Sequence, residues 1–202
     1  MIGKWNRSVI LTYMGLACAV AGIFLLLAGH KISYAFVCLM LAGIFDLFDG
    51  PVARKVKRNE EEKKFGIEMD SIVDAVSFIA LPIAIFTSTG MNDLPFVILY
   101  ILYAVSGVAR LAYFNAVDAD SEGPVKYYTG LPVTYSALIF PLFYLLSIPL
   151  EKNIFMVIYA IVIAAVTLLQ VLKIKIIKPK GIAYVFFGIL AIVLISVFLI
   201  FL

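Results

Sequence analysis

Seven apolar runs constrain what this chain can fold into more than any other feature of its sequence. Each run is between 18 and 24 residues long, close to the length that a helix needs to cross the hydrocarbon core of a bilayer. The runs cover residues 8–29, 32–54, 65–87, 94–117, 131–148, 154–172 and 182–202. A chain in lipid must satisfy its backbone polar groups internally. The sequence therefore predicts an all-α, polytopic membrane bundle of about six to seven transmembrane helices.

The composition supports a membrane protein. Of the 202 residues, 64% are hydrophobic and only 14% are charged, which exceeds what a soluble domain of this length uses. We expect residues 1–202 to form a single integral-membrane domain. The first run follows a short basic segment, as in a signal peptide, but further membrane segments come after it, so we interpret it as a span. Cys18 and Cys38 lie inside apolar runs, which predicts packing thiols rather than a disulfide.

The basic residues predict the orientation of the bundle. With a cytoplasmic N-terminus, 13 of the 16 lysines and arginines lie on the cytoplasmic side. Only Lys31 and Lys152 lie on the opposite side, and Arg110 lies within the fourth run. Because cytoplasmic loops carry an excess of lysine and arginine, we expect this orientation in the cell membrane. It places the segment 46–74 at the cytoplasmic face.

Four aspartates lie where the second and third runs meet that face. Asp46 and Asp49 are three residues apart, and Asp70 and Asp74 are four apart, so each pair lies on one side of a helix. An aspartate at the centre of a membrane helix costs about 2.5–3.5 kcal/mol, and four would also repel one another unless cations were bound. Oxygen ligands without His or Cys favour Mg²⁺, Mn²⁺ or Ca²⁺. We predict a two-cation site suited to phosphoryl transfer.

Small and basic residues near the aspartates suit a phosphorylated ligand. Gly50 has no side chain, which allows a phosphate or ribose to approach the helix backbone, and Ala53 is similarly small. Arg54 could contact a phosphate through two parallel hydrogen bonds.

Both aspartate pairs belong to a longer pattern that resembles the signature of the CDP-alcohol phosphotransferase family. The pattern is D-x2-D-G-x2-A-R, a linker, and G-x3-D-x3-D. It is matched by Asp46, Asp49, Gly50, Ala53 and Arg54, and then by Gly66, Asp70 and Asp74. The linker between Arg54 and Gly66 has eleven residues and is longer than usual in the family.

The resemblance implies a role for each matched residue. Asp46 and Asp70 would contact two divalent cations, Mg²⁺ or Mn²⁺, while Asp49 would contact one of them and Asp74 the other. Asp74 would also be the general base for the acceptor hydroxyl. A CDP-lipid, either CDP-diacylglycerol or CDP-archaeol, would contact Gly50, Ala53, Arg54 and Gly66. Ser8, in the first run near the same face, could contact its cytidine, although a packing hydroxyl explains Ser8 at least as well. The acceptor oxygen would attack the phosphorus that bears the lipid, CMP would leave, and the enzyme would be a homodimer among membrane lipids.

The region of about 105–135 resembles the phosphatidylserine synthase branch of that family. The matching residues are Ala109, Arg110, Phe114 and Asn115, followed by Thr129, Gly130, Leu131 and Pro132. The resemblance implies L-serine as the acceptor. An intramembrane arginine needs an anionic partner, which could be the serine carboxylate or one of the aspartates. Asn115 and Thr129 could bind serine or cap helix ends.

Two other functions fit parts of the sequence. The same chemistry could use glycerol 3-phosphate or inositol phosphate as the acceptor, but such a dianion would need more cationic groups than Arg110 and Lys126 provide. Alternatively, a cation transporter could place acids along its path. In a transporter the acids would be distributed across the membrane, whereas here they meet at one surface. The sequence predicts no nucleic-acid partner.

Overall fold

A computed structural model describes residue 3 and residues 9–118, 127–177 and 181–202, apart from the side chains of Arg54, Asp118 and Ile182. The helices are α1 (Ile10–Leu27), α2 (Ile32–Lys55), α3 (Glu60–Ala75), α4 (Leu81–Ser88), α5 (Leu94–Tyr113), α6 (Ser136–Tyr144), α7 (Lys152–Val171) and α8 (Ile182–Phe201). Two short strands, β1 (Tyr127–Thr129) and β2 (Lys175–Ile177), pair in antiparallel register.

Six helical segments of the described chain are long and apolar enough to cross a membrane. They are Ile10–Leu27, Ile32–Ala53, Glu60–Ser88, Leu94–Val117, Lys152–Val171 and Ala183–Phe201. The predicted all-α membrane bundle is confirmed, and the chain is an integral membrane protein.

The fifth predicted span is shorter in the structure than in the sequence. Its helical segment is Val133–Ser147, which at about 1.5 Å per residue reaches only about 22 Å. The preceding residues bond to α7 and to the segment that follows it instead of extending the helix. The Leu131 N–H donates to the Leu169 carbonyl of α7 at 2.8 Å, and the Gly130 N–H donates to the Ile174 carbonyl, just before β2, at 2.9 Å. The predicted start near residue 131 is therefore two residues too early.

Contacts at each end of the bundle join residues far apart in the chain, as expected for a chain that crosses the membrane several times. At one end, the Lys31 amino group donates to the Leu202 carbonyl at 3.1 Å, and Lys152 lies against Gly90. At the other end, β1 pairs with β2, and Asn59 and Glu62 form a capping box at the start of α3. The two strands were not predicted, because each is only three residues long in a segment expected to be a loop.

Aromatic side chains fill the interior between α2, α4, α5, α6 and α7. Phe86 lies at the centre, with its ring 4.7 Å from that of Phe140 in an edge-to-face arrangement, and Tyr103 and Tyr159 also contact it. All four side chains are fully buried. Such pairs add stabilisation beyond the area they bury, so the core forms a rigid support beneath the aspartate end.

Two helices contain a π-helical turn next to residues of the predicted site. One turn, Val76–Ala80, follows Asp74 and joins α3 to α4. The other, Phe114–Asp118, follows α5 shortly after Arg110. π-helical turns occur frequently at functional sites, and both lie toward the end of the bundle that carries the aspartates.

Candidate active site

The antiparallel helices α2 and α3 bring three of the predicted aspartates together. Asp46, Asp49 and Asp70 each offer one carboxylate oxygen, and these oxygens lie within 4.8 Å of one another. The helical spacing of Asp46 and Asp49 directs both carboxylates to one side of α2. The packing of α3 against that side then supplies the third.

Asp74 lies one turn further along α3, toward the membrane interior. Its side chain is only 9% exposed, and its carboxyl lies within hydrogen-bonding reach of Asp46. A small cavity of about 10 Å³ is bounded by all four aspartates together with Thr12 and Ser77. This is about the space of a single water molecule or ion. The structure therefore brings all four predicted aspartates to one site, with Asp74 at its inner edge.

The donor set fits hard divalent cations. All four donors are carboxylates, which are the ligands that Mg²⁺, Mn²⁺ and Ca²⁺ prefer. The Thr12 hydroxyl donates to Asp49 Oδ2 at 3.1 Å and so helps to hold this carboxylate in place. Hydrogen bonds to ligating carboxylates are a general feature of metal sites.

A larger cavity of about 250 Å³ opens beside the aspartates. Three of the acids, Asp46, Asp49 and Asp70, form its polar side. Its remaining lining is mainly aromatic and aliphatic: Met40, Ile44, Leu47, Pro51, Phe114, Tyr128, Pro132, Tyr135, Leu138, Tyr184, Phe187 and Ala191. A chamber with acids on one side and apolar walls on the other can bind an amphipathic ligand whose polar group faces the acids.

The helix α8 contributes Tyr184, Phe187 and Ala191 to this chamber. No signal in the sequence indicated that α8 lines the chamber. Its sequence, an apolar run with a Tyr near its start, is that of an ordinary membrane span with an interfacial aromatic residue. Only the packing of α8 against α2 reveals that one side of it faces the chamber.

Thr134 and Tyr128 are two further polar residues that the sequence did not single out for the site. The Thr134 hydroxyl hydrogen-bonds with Asp46, and both residues line the chamber. Burial raises the pKa of the Tyr128 phenol above its ordinary value, so the phenol stays protonated at neutral pH and can donate a hydrogen bond. The only hint of Thr134 was its position shortly after the Gly-Leu-Pro motif.

Arg110 lies between the aspartates and the wall of the chamber. Its side chain is 8% exposed, and its guanidinium carbon lies 5.1 Å from the centre of the Phe114 ring and 5.7 Å from that of Tyr128. It also interacts electrostatically with Asp46 and Asp74. The contact with the acids matches one of the two partners that the sequence allowed for this arginine.

Asn115 and Thr129 occupy different surroundings. The Ser71 hydroxyl donates to Asn115 Oδ1 at 3.0 Å, which ties Asn115 to the residue that follows Asp70. Thr129 ends β1 opposite Lys175. Neither belongs to the lining of the chamber in the part of the chain that the structure describes.

The predicted ligand-binding residues are also separated in space. Gly50 lines the chamber. Ala53 lies one turn beyond it on α2 and Gly66 lies on α3 near the Arg58 guanidinium, and neither is part of the described lining. Ser8, Lys126 and the side chain of Arg54 lie outside the described residues.

Comparison with known proteins identifies the family. The family model described as CDP-alcohol phosphatidyltransferase matches residues 5–202. A CDP-diacylglycerol–serine O-phosphatidyltransferase from Saccharomyces cerevisiae is 36% identical over 109 residues, which cover 52% of this chain and 38% of the yeast protein. An archaetidylserine synthase from Methanothermobacter thermautotrophicus is 31% identical over 153 residues, 75% of this chain and 61% of that protein.

A phosphatidylcholine synthase from Rhizobium johnstonii is 30% identical over 135 residues, which cover 66% of this chain and 54% of the relative. The matched segment thus spans less than two thirds of the length of each of these three relatives. The family model, by contrast, extends over nearly the whole chain and includes all four aspartates. This protein therefore belongs to the CDP-alcohol phosphatidyltransferase family.

Proposed function

We propose that this protein is a membrane-bound transferase of phospholipid synthesis, which moves the lipid-bearing phosphoryl group of a CDP-activated lipid to the hydroxyl of L-serine and releases CMP. The observation that carries the proposal is the convergence of Asp46, Asp49 and Asp70, with Asp74 beside them, at the edge of an otherwise apolar chamber. Two of the relatives described above are named for serine lipids, which supports serine as the acceptor.

Asp46, Asp49, Asp70 and Asp74 would hold two divalent cations, Mg²⁺ or Mn²⁺. When bound, such ions neutralise phosphate charge and stabilise the oxygens that gain charge during phosphoryl transfer. The protein itself supplies the orientation of its carboxylates, through the hydrogen bonds of Thr12 to Asp49 and of Thr134 to Asp46.

Asp74 would act as the general base. It is the most deeply placed of the four aspartates, and it lies beside Asp46. In the proposed reaction the serine oxygen forms a bond to the lipid-bearing phosphorus, the bond from that phosphorus to the CMP oxygen breaks, and the hydroxyl proton passes to the Asp74 carboxylate. General bases of this kind contribute about 10²–10⁴-fold to rate.

The CDP-lipid would lie with its phosphates at the aspartates and its first apolar groups in the chamber. Gly50 lines the chamber and leaves the backbone of α2 accessible there. In the family pattern Ala53, Arg54 and Gly66 accompany it, and Ser8 would reach the cytidine. The apolar walls accept the tails of CDP-diacylglycerol and of CDP-archaeol equally.

Serine would be recognised by its charged groups. Arg110 would bind the carboxylate, because it is the cation closest to the aspartates among the residues described and lies directly behind the chamber wall. Ser71 fixes the orientation of the Asn115 amide, whose N–H groups are further donors. Thr129 would contribute only if the β1–β2 ribbon moved toward the chamber.

The site would face the cytoplasm in the cell membrane, with the N-terminus on the same side. The distribution of lysine and arginine supports this orientation, and a cytoplasmic site has direct access to serine. We further propose that residues 1–202 act as one catalytic domain and that the enzyme works as a homodimer, as the family resemblance implies.

Choline is a second candidate acceptor. The chamber carries four aromatic residues within reach of a bound amino alcohol, Phe114, Tyr128, Tyr135 and Tyr184, and aromatic faces bind quaternary ammonium groups well. One relative is named for phosphatidylcholine. Serine differs in requiring a cation for its carboxylate, for which Arg110 is available.

The test is an assay of CMP release by the purified full-length protein. CDP-diacylglycerol and CDP-archaeol would each be combined with L-serine, choline, glycerol 3-phosphate and inositol phosphate, with Mg²⁺ or Mn²⁺ present. We expect release that requires serine and a divalent cation. Release with choline alone would reassign the acceptor, and failure with every acceptor would contradict the enzymatic proposal.

A further inference from the structure

We propose that Tyr103, a residue remote from the chamber, is a positioning residue for the aspartate site, because its hydroxyl holds the π-helical turn that follows Asp74. The inference rests on the cation site of the proposed function. It adds a residue that does not contact the cations and acts through the backbone turn next to Asp74.

The π-helical turn has a backbone carbonyl that needs a donor. Pro82 is the second residue of α4, the helix beyond the turn, and has no N–H, so it cannot donate to the carbonyl four residues before it. That carbonyl belongs to Phe78, and the Tyr103 hydroxyl donates to it at 2.5 Å. Tyr103 is fully buried, where an unsatisfied backbone oxygen is strongly unfavourable.

The same hydroxyl belongs to a buried polar cluster between α5, α6 and α7. The side chains of Ser136 and Gln170 lie beside it, and the Ser106 hydroxyl donates to Gln170 Oε1 at 2.7 Å. Each of these three side chains is 4% exposed or less. Burying polar groups is costly unless they form hydrogen bonds, so the Ser106–Gln170 bond helps to hold this cluster beside the Tyr103 hydroxyl.

Gln170 connects this cluster to the opposite side of the site. The chain at Gly130 approaches so closely that a Cβ atom there would lie 2.5 Å from the Gln170 carbonyl oxygen, and the Leu131 N–H donates to the adjacent Leu169 carbonyl. This segment leads directly to Thr134, the hydroxyl partner of Asp46. One turn of α7 therefore supports both the π-helical turn after Asp74 and the segment that carries Thr134.

The arrangement determines where Asp74 lies relative to Asp46. Without the Tyr103 hydroxyl, the Phe78 carbonyl loses its donor and the π-helical turn relaxes. Asp74 then shifts relative to the other three aspartates. The chamber and its lining do not include Tyr103, so its loss acts on the cation site rather than on substrate contacts.

The experiment compares Y103F with the matched control Y100F. Tyr100 lies on the same helix, is 5% exposed, and donates to the Met91 carbonyl at 2.8 Å, far along the chain from the aspartates. Mn²⁺ binding to the purified, detergent-solubilised protein is measured from the electron paramagnetic resonance signal of the free ion. We expect Y103F to weaken Mn²⁺ binding roughly tenfold, and Y100F to bind Mn²⁺ as the wild type does.

A rescue variant tests the proposed cause. In Y103F/P82A the amide introduced at position 82 can donate to the Phe78 carbonyl in place of the phenol. We expect the double variant to recover most of the Mn²⁺ affinity that Y103F loses. A double variant that binds as weakly as Y103F would show that packing, and not the carbonyl donor, was lost, and it would overturn the proposal.

Each remaining outcome also decides the question. Equal Mn²⁺ affinity of Y103F, Y100F and wild type would overturn the positioning role and leave the proposed function intact. Absence of Mn²⁺ binding by the wild type would remove the cation site and the inference with it. If Y103F does not fold, S106A replaces it. Weaker Mn²⁺ binding by S106A supports the proposal, and unchanged binding overturns it.

Discussion

Asp74 differs from the other aspartates in its surroundings, and the difference indicates its role. Asp46, Asp49 and Asp70 border the larger chamber as well as the small cavity, whereas Asp74 borders only the small cavity among the described contacts. We expect Asp74, at the inner edge of the cluster, to contribute less to holding ions than the three aspartates whose oxygens lie within 4.8 Å of one another. We propose that it accepts the proton.

The substitution D74N separates the two roles. The amide cannot accept the serine proton, so CMP release should fall by at least about 100-fold, while Mn²⁺ binding should persist in weakened form because the other three aspartates remain. Release and Mn²⁺ binding would be measured on the same preparation. D70N is the control and should lose both. Retained turnover in D74N would exclude the base role.

The role of Arg110 can be read from a comparison of Michaelis constants. R110A removes the cation proposed to bind the serine carboxylate, and a charge-assisted hydrogen bond is worth about 1.5–3 kcal/mol. We expect the KM for serine to rise by about tenfold or more, and the KM for the CDP-lipid to change far less. Equal changes in both constants would instead assign Arg110 to the support of Asp46 and Asp74.

At the scale of the elements, the loop from β1 to α6 depends on Gly130. This glycine has φ of +74°, and its Cα lies against the backbone of α7. The close approach aligns the following residues so that Thr134 reaches Asp46. The Gly-Leu-Pro motif that suggested an acceptor site thus has a structural role.

The pair G130A and G29A measures that role. Gly29 has nearly the same φ, +76°, but among the described residues no atom beyond its chain neighbours lies within 4 Å of a Cβ built there. Both variants incur the cost of a left-handed alanine. Only G130A also adds a clash with the Gln170 carbonyl. We expect this clash to lower the free energy of unfolding by a further ~1–3 kcal/mol. Equal loss of thermal stability in both variants would contradict the close approach.

The last helix, α8, is predicted to be part of the lipid-binding chamber. A191F would fill space in the chamber next to Tyr184 and Phe187, whereas I192F places the same ring on the lipid-facing side, where Ile192 is 60% exposed. We expect A191F to raise the KM for the CDP-lipid by roughly tenfold, equivalent to 1.4 kcal/mol, and I192F to have little effect. A similar KM for both variants would place the lipid elsewhere.

At the scale of the whole molecule, the charge distribution predicts which end of the bundle faces the cytoplasm. Single cysteines at positions 57 and 89, in a C18A/C38A background, lie at opposite ends of the bundle. In intact cells, a membrane-impermeant thiol reagent should label K57C only after lysis and T89C without it. The reverse pattern would invert the orientation and move the aspartates to the outer face.

Much of this architecture could be predicted because its causes are local. The length of an apolar run predicts a membrane span. Spacings of three and four residues predict that Asp46 and Asp49, and likewise Asp70 and Asp74, lie on one side of a helix. Both predictions required only the geometry of the α-helix. The sequence could also predict a cation site, since the cost of burying charge in such runs does not depend on the fold.

Tertiary structure alone decided which distant residues complete the site. The Thr134 hydroxyl reaches Asp46, α8 forms part of the chamber wall, and the Tyr103 hydroxyl bonds to the turn after Asp74. All three depend on packing between segments far apart in the chain, and no periodicity encodes such packing. The helix after Pro132 is shortened for the same reason, since Leu131, just before it, bonds to α7. Local patterns thus determined the helices and the chemistry of their acids, while long-range packing determined the enclosure around them.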